Sequence, residues 1–283
     1  IMLSFHSTEF ININYPDYFP KPIYNFSENS LSKSKIELGR FLFYDPILSA
    51  DSSISCASCH SPYNAFSHTD HALSHGINDE IGDRNAPALF NLAWQKFFMW
   101  DGAVNHLDVQ ALAPISHPKE MGESISHVVY KLQHSMLYPL LFKNAFGDSS
   151  ISGEKILKAM AQFQLTLTSS NSKYDGVKKG AFSFSTQENA GYVIFKNNCN
   201  SCHTEPLFST YEFANNGLKI DTTLMDYGRW QVTKNKKDSL LFKIPSLRNL
   251  SYSYPYMHDG RFKKLNQVLN HYTSSIHENP LVS

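Results

Sequence analysis

The chain has little charge and no net charge, which excludes one large class of binding proteins. Only 18% of its 283 residues are charged, and 25 basic residues balance 25 acidic ones. Nucleic-acid-binding domains normally carry a basic excess, so no nucleic-acid partner is expected. No apolar run approaches the length of about 20 residues that a membrane-spanning helix needs. The chain starts Ile1-Met2-Leu3 without a basic or long apolar segment, so we expect any signal peptide to lie outside this sequence.

Cysteine is also scarce, but its placement is informative. The four cysteines form two C-x-x-C-H patterns, at Cys56, Cys59 and His60 and at Cys199, Cys202 and His203. This pattern is the attachment motif of c-type haem, in which two thiols bind the vinyl groups and the histidine binds iron. A zinc site or two disulfides would not need a histidine directly after both pairs. The sequence therefore predicts two covalent haems c and, since such haem is attached outside the bacterial cytoplasm, a periplasmic protein.

A second feature is an internal repeat. Residues 87–107 (PALFNLAWQKFFMWDGAVNHL) align with residues 245–265 (PSLRNLSYSYPYMHDGRFKKL), and eight of 21 positions are identical. Unrelated sequence would give about one identity. Each half also has a Gly-x-x-x-Phe segment before its haem motif, at Gly39 and Gly191. The repeat predicts a duplicated haem domain.

The expected fold class is mainly α, with two tandem cytochrome c-like haem domains, long loops and little β-structure. Apolar spacing predicts helices over residues 32–43, 124–138, 153–168, 187–196 and 265–272. The polar segment 169–185 is the expected linker. It separates an N-terminal, peroxidatic domain (1–168) from a C-terminal, electron-transfer domain (186–283).

The two halves differ where a sixth iron ligand would lie. Tyr272 stands 13 residues after Asp259, whereas the equivalent residue after Asp101 is Pro114, which cannot bind iron. The two haems are therefore not expected to be ligated alike. This asymmetry predicts one haem for chemistry and one for electron supply.

The chain resembles the bacterial di-haem cytochrome c peroxidases, a family that includes the MauG-type enzymes. The resemblance runs from residue 38 to the end, and its marks are Leu38-Gly39-Arg40-x-Leu42-Phe43, the two C-x-x-C-H motifs, Arg84-Asn85-Ala86-Pro87, Trp100-Asp101-Gly102, Gln110…Pro114…Glu120-Met121-Gly122 and Pro255-Tyr256-Met257-His258-Asp259-Gly260. The family normally continues past Asn279-Pro280-Leu281 into a closing helix, so an incomplete C-terminal domain is expected.

The resemblance assigns roles at the first haem. Glu120 matches the distal acid that shuttles a proton as the O–O bond of peroxide breaks. Gln110 matches the neighbouring amide that hydrogen-bonds the ligand, and Trp100 matches the tryptophan between the haems. His75 matches a histidine that occupies the sixth iron site of the resting peroxidases and is absent from MauG-type members.

At the second haem the chain departs from the peroxidase pattern. Classical peroxidases have methionine at the position of Tyr272, and the MauG-type enzyme has tyrosine. Met257 and His271 are alternative ligands, although the repeat places Met99 opposite Met257, which favours a packing role for both. The resemblance also implies a calcium ion between the domains, bound by Asn85, Ser253 and Pro255.

The leading functional hypothesis is a peroxidase that reduces hydrogen peroxide to water with electrons from a small redox protein, a cytochrome c or a cupredoxin. The alternative is a MauG-like enzyme that oxidises residues of a partner protein, which Tyr272 favours and His75 disfavours. A plain electron-transfer cytochrome is disfavoured by the pair Glu120 and Gln110. A homodimer, usual in the family, stays open.

Overall fold

The computed structural model describes residues 9–274. The first eight residues and residues 275–283, including the predicted continuation at Asn279–Leu281, lie outside the described residues. The helices are α1 Lys33–Tyr44, α2 Cys56–Cys59, α3 Leu107–Gln110, α4 Leu112–Ser116, α5 Ile125–Gln133, α6 Tyr138–Phe146, α7 Gly153–Leu165, α8 Lys173–Lys178, α9 Thr186–Asn198, α10 Trp230–Thr233 and α11 Leu265–Ser274. Within residues 9–274 the sheet consists of two short antiparallel strands, β1 Phe213–Ala214 and β2 Phe242–Lys243. The prediction of a mainly helical chain with little sheet is confirmed.

Four of the five predicted helices form close to their expected bounds. The hydroxyl of Ser32 caps α1 by accepting from the Lys35 N–H. At α9, Ser185-Thr186-Gln187-Glu188, a sequence pattern typical of a capping box, forms one through Ser185 and Glu188. Among the residues described, no helix combines the length and the apolar character needed to cross a membrane.

The helix predicted over residues 124–138 is wrong as a single element. α5 ends at Gln133, and α6 begins at Tyr138 with Pro139 in its first turn. A proline inside a continuous helix would remove a main-chain hydrogen bond and clash with the preceding turn, whereas the first turn of a new helix accepts it. Proline therefore divides the apolar run into two helices.

The core of the N-terminal half is built on the contact between α1 and α7. Leu42 and Phe43 of α1 and Met160 of α7 are almost fully buried. The helices approach so closely at Gly39 that a Cβ there would lie 1.9 Å from the Ala159 carbonyl oxygen. Glycine is therefore required at this crossing. For Gly191, its sequence counterpart in α9, a Cβ would meet no atom of residues 9–274 within 4 Å, so among these residues the two matching helical segments have different neighbours.

The repeated segments adopt the same local conformation. Asn91 and Asn249 both have left-handed backbone, with φ of 53° and 57°, and Met99 and Met257 do so at 65° and 75°. The turn at 98–104 closes through a 2.7 Å main-chain bond from Phe98 N to Val104 O, and the turn at 256–262 closes identically. Non-glycine residues rarely adopt positive φ, so its recurrence at equivalent positions supports a true duplication.

The predicted linker segment carries structure of its own. It contains α8, which starts with a capping box formed by Ser172 and Asp175. Asp175 is 1% exposed and accepts two 2.8 Å hydrogen bonds from the guanidinium of Arg248, which is 5% exposed. Tyr18 donates to the same carboxylate at 2.7 Å. A buried, bidentate ion pair therefore joins the N-terminal segment, α8 and the second repeat.

Burial by itself raises the pKa of Asp175, but hydrogen bonds from Arg248, Tyr18 and Ser172 outweigh it and hold this pKa below its ordinary value. A carboxyl group whose pKa is depressed by folding stabilises the fold fully above its unfolded pKa, about 3.9. The stabilisation is lost as the pH falls below that value. Near neutral pH the pair is therefore fully formed.

Replacing Asp175 by Asn is expected to lower the free energy of unfolding by about 3–5 kcal/mol, because the Arg248 cation stays buried without its counter-charge. Chemical denaturation of the holoprotein, followed by far-ultraviolet circular dichroism near neutral pH, measures the effect. The matched control is Glu154→Gln, which breaks the exposed pair with Lys158 and should leave the midpoint unchanged. Equal midpoints for Asp175→Asn and the wild type would contradict the assignment.

Candidate haem sites

Both C-x-x-C-H motifs fold as tight turns. The His60 N–H donates to Cys56 O at 2.9 Å, and the His203 N–H donates to Cys199 O at 2.8 Å. All four cysteines are free thiols. Within residues 9–274 no three His, Cys, Asp or Glu side chains gather closely enough to hold a metal ion by themselves, so the described residues form no multidentate zinc site. The free thiols fit covalent attachment to a haem.

The histidine of each motif is oriented by the main chain. Nδ1 of His60 lies 2.9 Å from Phe66 O, and Nδ1 of His203 lies 3.3 Å from Phe208 O and 3.1 Å from Pro245 O. A carbonyl oxygen only accepts, so Nδ1 carries the proton and Nε2 keeps its lone pair. Burial lowers the pKa of His60 to about 4 and also lowers that of His203. Both rings are thus neutral and fit the proximal position of a haem iron.

The repeat supplies this orientation. The Leu89 N–H donates to Phe66 O at 3.2 Å, and the Leu247 N–H donates to Phe208 O at the same distance. In each half, a phenylalanine carbonyl that contacts the histidine is therefore held by the leucine N–H of a Pro-x-Leu segment. The same main-chain contact therefore recurs at equivalent positions of the repeat.

Glu120 faces the first motif from the turn after α4. The Glu120 N–H donates to His117 O at 3.0 Å, which closes this turn. Burial raises the pKa of the Glu120 carboxyl, and His117 partly offsets that rise. Burial is the largest cause of the raised pKa values of Cys56 and Cys59, and the charge of Glu120 raises both further. A half-buried carboxyl group therefore lies near both thiols of the first motif.

The loop carrying His75 is held between the first motif and the Glu120 turn. Cys59 Sγ lies 3.9 Å from His75 O, and the Ile77 N–H donates to Glu120 O at 2.8 Å. A Cβ on Gly76 would lie 2.1 Å from Lys119 O, so glycine permits this close approach. The His75 Nδ1 is 2.5 Å from Asp79 Oδ1. This contact leaves Nε2 of the 31% exposed side chain as the ring nitrogen available to another partner.

Trp100 lies where the two halves meet. Its indole N–H donates to Asn85 O at 2.8 Å, and its carbonyl accepts from the Lys243 N–H at 2.7 Å. Arg84, beside Asn85, donates at 2.6 Å to both Asp101 of the first half and Asp226 of the second. Gln110, at the end of α3, donates to Met99 Sδ at 3.7 Å.

The three sixth-ligand candidates of the second half converge on Asn216. Nε2 of His271, which is 5% exposed, donates to Asn216 O at 2.8 Å. The Asn216 amide donates to Met257 Sδ at 3.4 Å. Burial raises the pKa of the Tyr272 phenol, a hydrogen bond with Asn216 lowers it, and the charges of Cys202 and Cys199 raise it again. These charge effects indicate that the Tyr272 phenol lies near both thiols of the second motif.

Comparison with known proteins places the chain in a family. The family model for di-haem cytochrome c peroxidases matches residues 33–183. Methylamine utilization protein MauG of Methylorubrum extorquens is 35% identical over 280 residues, which cover 95% of this chain and 75% of that protein. Cytochrome c551 peroxidase of Nitrosomonas europaea is 36% identical over 239 residues, covering 82% and 71%. This chain belongs to the di-haem cytochrome c peroxidase family.

Solved structures agree with this membership. A MauG-like protein associated with microbial copper homeostasis superposes with a TM-score of 0.84 at 29% identity, covering 96% of this chain and 86% of that one. The di-haem peroxidase BthA from Burkholderia thailandensis shares the fold at a TM-score of 0.78 and 23% identity, covering 86% and 72%. Membership in this family implies haem c as the cofactor, which the free thiols and neutral histidines fit.

The predicted calcium ligands of this peroxidase family member lie in two neighbouring loops. The Asn85 N–H donates to His258 O at 2.7 Å, and its side-chain amide donates to Ala72 O at 2.9 Å. The Asn85 Oδ1 therefore remains as an oxygen donor beside the loop of Ser253 and Pro255. Oxygen donors of this kind suit a hard cation, and the calcium ion stays a prediction.

Sequence reasoning missed Asn216 and the interaction of His117 with Glu120. Asn216 lies in a loop outside the repeated segment, so no motif marked it. His117 stands three residues before Glu120 in Ser116-His117-Pro118, and a proline-containing turn could have indicated that the two side chains share a side.

Proposed function

We propose that this protein reduces hydrogen peroxide to water, with electrons from a small redox protein such as a cytochrome c or a cupredoxin. The observation that carries the proposal is the position of Glu120, a half-buried carboxyl group with a raised pKa beside the first haem motif. A plain electron-transfer protein has no need of such a group. A bound haem would supply the iron that accepts peroxide and passes electrons to it.

The chain's own residues would handle the protons. Reduction of one peroxide consumes two electrons and two protons and gives two waters. In this proposal Glu120 takes a proton from one peroxide oxygen and returns it to the other as the O–O bond breaks, which requires a pKa closer to neutrality than that of an exposed carboxyl. Gln110 orients the peroxide by hydrogen bonding.

Electrons would enter at the second motif and pass Trp100. The indole of Trp100 is hydrogen-bonded to Asn85 of the first half, and its carbonyl is hydrogen-bonded to Lys243 of the second half. These contacts support a short electron path between the halves. His75 would close the first iron site in the oxidised protein and release it after reduction of the second haem. Since c-type haem is attached outside the bacterial cytoplasm, this activity would reside in the periplasm. A calcium ion bound by Asn85, Ser253 and Pro255 would stabilise the contact between the two halves of the chain.

A second candidate function is MauG-like oxidation of a partner protein. The interaction of the Tyr272 phenol with Cys199 and Cys202 favours it, since an anionic oxygen ligand lowers the potential of the second haem. Likeness to MauG along 95% of the chain adds to this support. Steady-state peroxide consumption with a reduced c-type cytochrome separates the two, because rapid turnover with this donor supports the peroxidase.

Replacing Glu120 by Gln keeps the shape of the side chain but removes the proton carrier. We expect peroxide turnover to fall by about 10²–10⁴-fold, with both haem spectra unchanged. The control is Glu37→Gln on the exposed side of α1, which should retain full activity. Near-normal turnover of Glu120→Gln would rule out Glu120 as the proton carrier and remove the main support for the peroxidase proposal.

Replacing Tyr272 by Phe tests the second iron site. If the phenolate binds this iron, the variant should shift the absorption spectrum of the second haem and raise its potential, because an anionic ligand is lost. The first haem should be nearly unchanged. Redox titration followed by absorbance measures both haems, with the exposed Tyr130→Phe as the control. If the second haem is unaltered in Tyr272→Phe, the ligand of the second iron would be Met257 or His271 instead.

A further inference from the structure

His117 carries a buried polar atom that the fold does not satisfy. Its Nδ1 is shielded from solvent and has no hydrogen-bond partner among the described residues. This atom lies 3.7 Å from Glu120 Oε1, while 39% of the His117 side chain is exposed. One edge of the ring therefore faces a half-buried carboxyl group, and another part of the ring reaches water.

The main chain fixes this pair in place. The carbonyl of His117 accepts the N–H groups of Glu120 at 3.0 Å and of Gly122 at 2.9 Å, so the turn holds both side chains on one side. From the neighbouring loop that carries His75, the Ile77 N–H donates a hydrogen bond to Glu120 O. Because the backbone is held from both directions, small rotations of the two side chains are enough to close the gap to hydrogen-bond distance. Catalytic hydrogen bonds are often long in resting structures and shorten in the working complex.

We propose that His117 passes protons from solvent to Glu120. This inference rests on the proposed peroxidase function, in which Glu120 handles the protons of the reaction. His117 acts through Glu120, so it is a positioning residue of the proton path rather than a catalytic residue.

The proton balance of each step is simple. The ring takes a proton from water at its exposed Nε2 and gives the Nδ1 proton to the Glu120 carboxylate, which leaves the neutral Nε2–H form. Exchange of protons with water, after rotation of the partly exposed ring has brought Nδ1 to solvent, removes the Nε2 proton and restores the Nδ1–H tautomer. Two such transfers supply the two protons that join one peroxide and two donor electrons to form two waters.

Other charges near the pair set the direction of its pH dependence. Burial is the main cause of the raised pKa of Glu120, and the charge of Asp83 raises it further. Lys119 donates a hydrogen bond to Asp83 at 2.7 Å. The charge of Glu80 contributes to raising the pKa of Lys119. Glu120 also lies near Cys56 and Cys59, whose pKa values its charge raises. The interaction with His117 lowers the pKa of Glu120. Removing the imidazole therefore raises this pKa.

The test compares the pH dependence of peroxide turnover in the holoproteins of the wild type, His117→Gln and His117→Ala. We expect His117→Gln to lose about 10–100-fold of turnover near neutral pH and to shift the acidic limb of kcat/KM to higher pH. Both haem spectra should be retained, which shows that the variants fold. Free imidazole added to His117→Ala should restore part of the rate, an effect that a purely structural residue would not show.

The matched control is His134→Gln, since His134 is an exposed histidine on another turn. Its turnover and pH profile should equal those of the wild type. An active wild type with an unshifted profile in His117→Gln, or a loss that imidazole fails to restore, would overturn the role of His117 alone. A wild type without peroxide turnover would overturn the proposed function and this inference with it.

Discussion

The hydrogen bond from histidine Nδ1 to a main-chain carbonyl is the constraint on which both sites depend. It fixes the tautomer of His60 and His203 and directs Nε2 away from the protein backbone. The carbonyls of Phe66 and Phe208 are themselves kept in position because they accept hydrogen bonds from the N–H groups of Leu89 and Leu247. This contact recurs in both repeated Pro-x-Leu segments.

On this shared scaffold the two halves differ in which side chains lie near the haem-attachment motif. The first half offers a half-buried carboxyl group, Glu120, and the loop of His75. The second half offers Asn216, which contacts three side chains that could approach an iron. Main-chain orientation is common to both because each needs a neutral proximal ligand, whereas the opposite side is free to diverge. A carboxyl group beside one motif and a phenol beside the other are the observations on which we base the proposed division between chemistry and electron supply.

Local patterns in the sequence predicted what local physics determines. The thiol motifs and the capping box of α9 were readable because each depends on residues a few positions apart, and the repeat was readable because its two segments share eight identical positions. The break between α5 and α6 was readable in principle from Pro139. The Asp175–Arg248 pair joins residues 73 positions apart, and Arg248 has Phe90 as its counterpart in the first repeat. No periodicity marks such a contact. The orphaned Nδ1 of His117 likewise depends on burial, which a sequence does not display at single positions.

The claim that one half performs chemistry and the other supplies electrons can be tested in a single rapid-mixing measurement. Oxidised and half-reduced holoprotein are each mixed with one equivalent of hydrogen peroxide, and the absorption bands of the two haems are followed separately. The account predicts a slow reaction of the oxidised protein, in which His75 closes the first iron site, and a fast reaction of the half-reduced protein that begins at the first haem. Equal rates in both states, or a reaction that begins at the second haem, would contradict it.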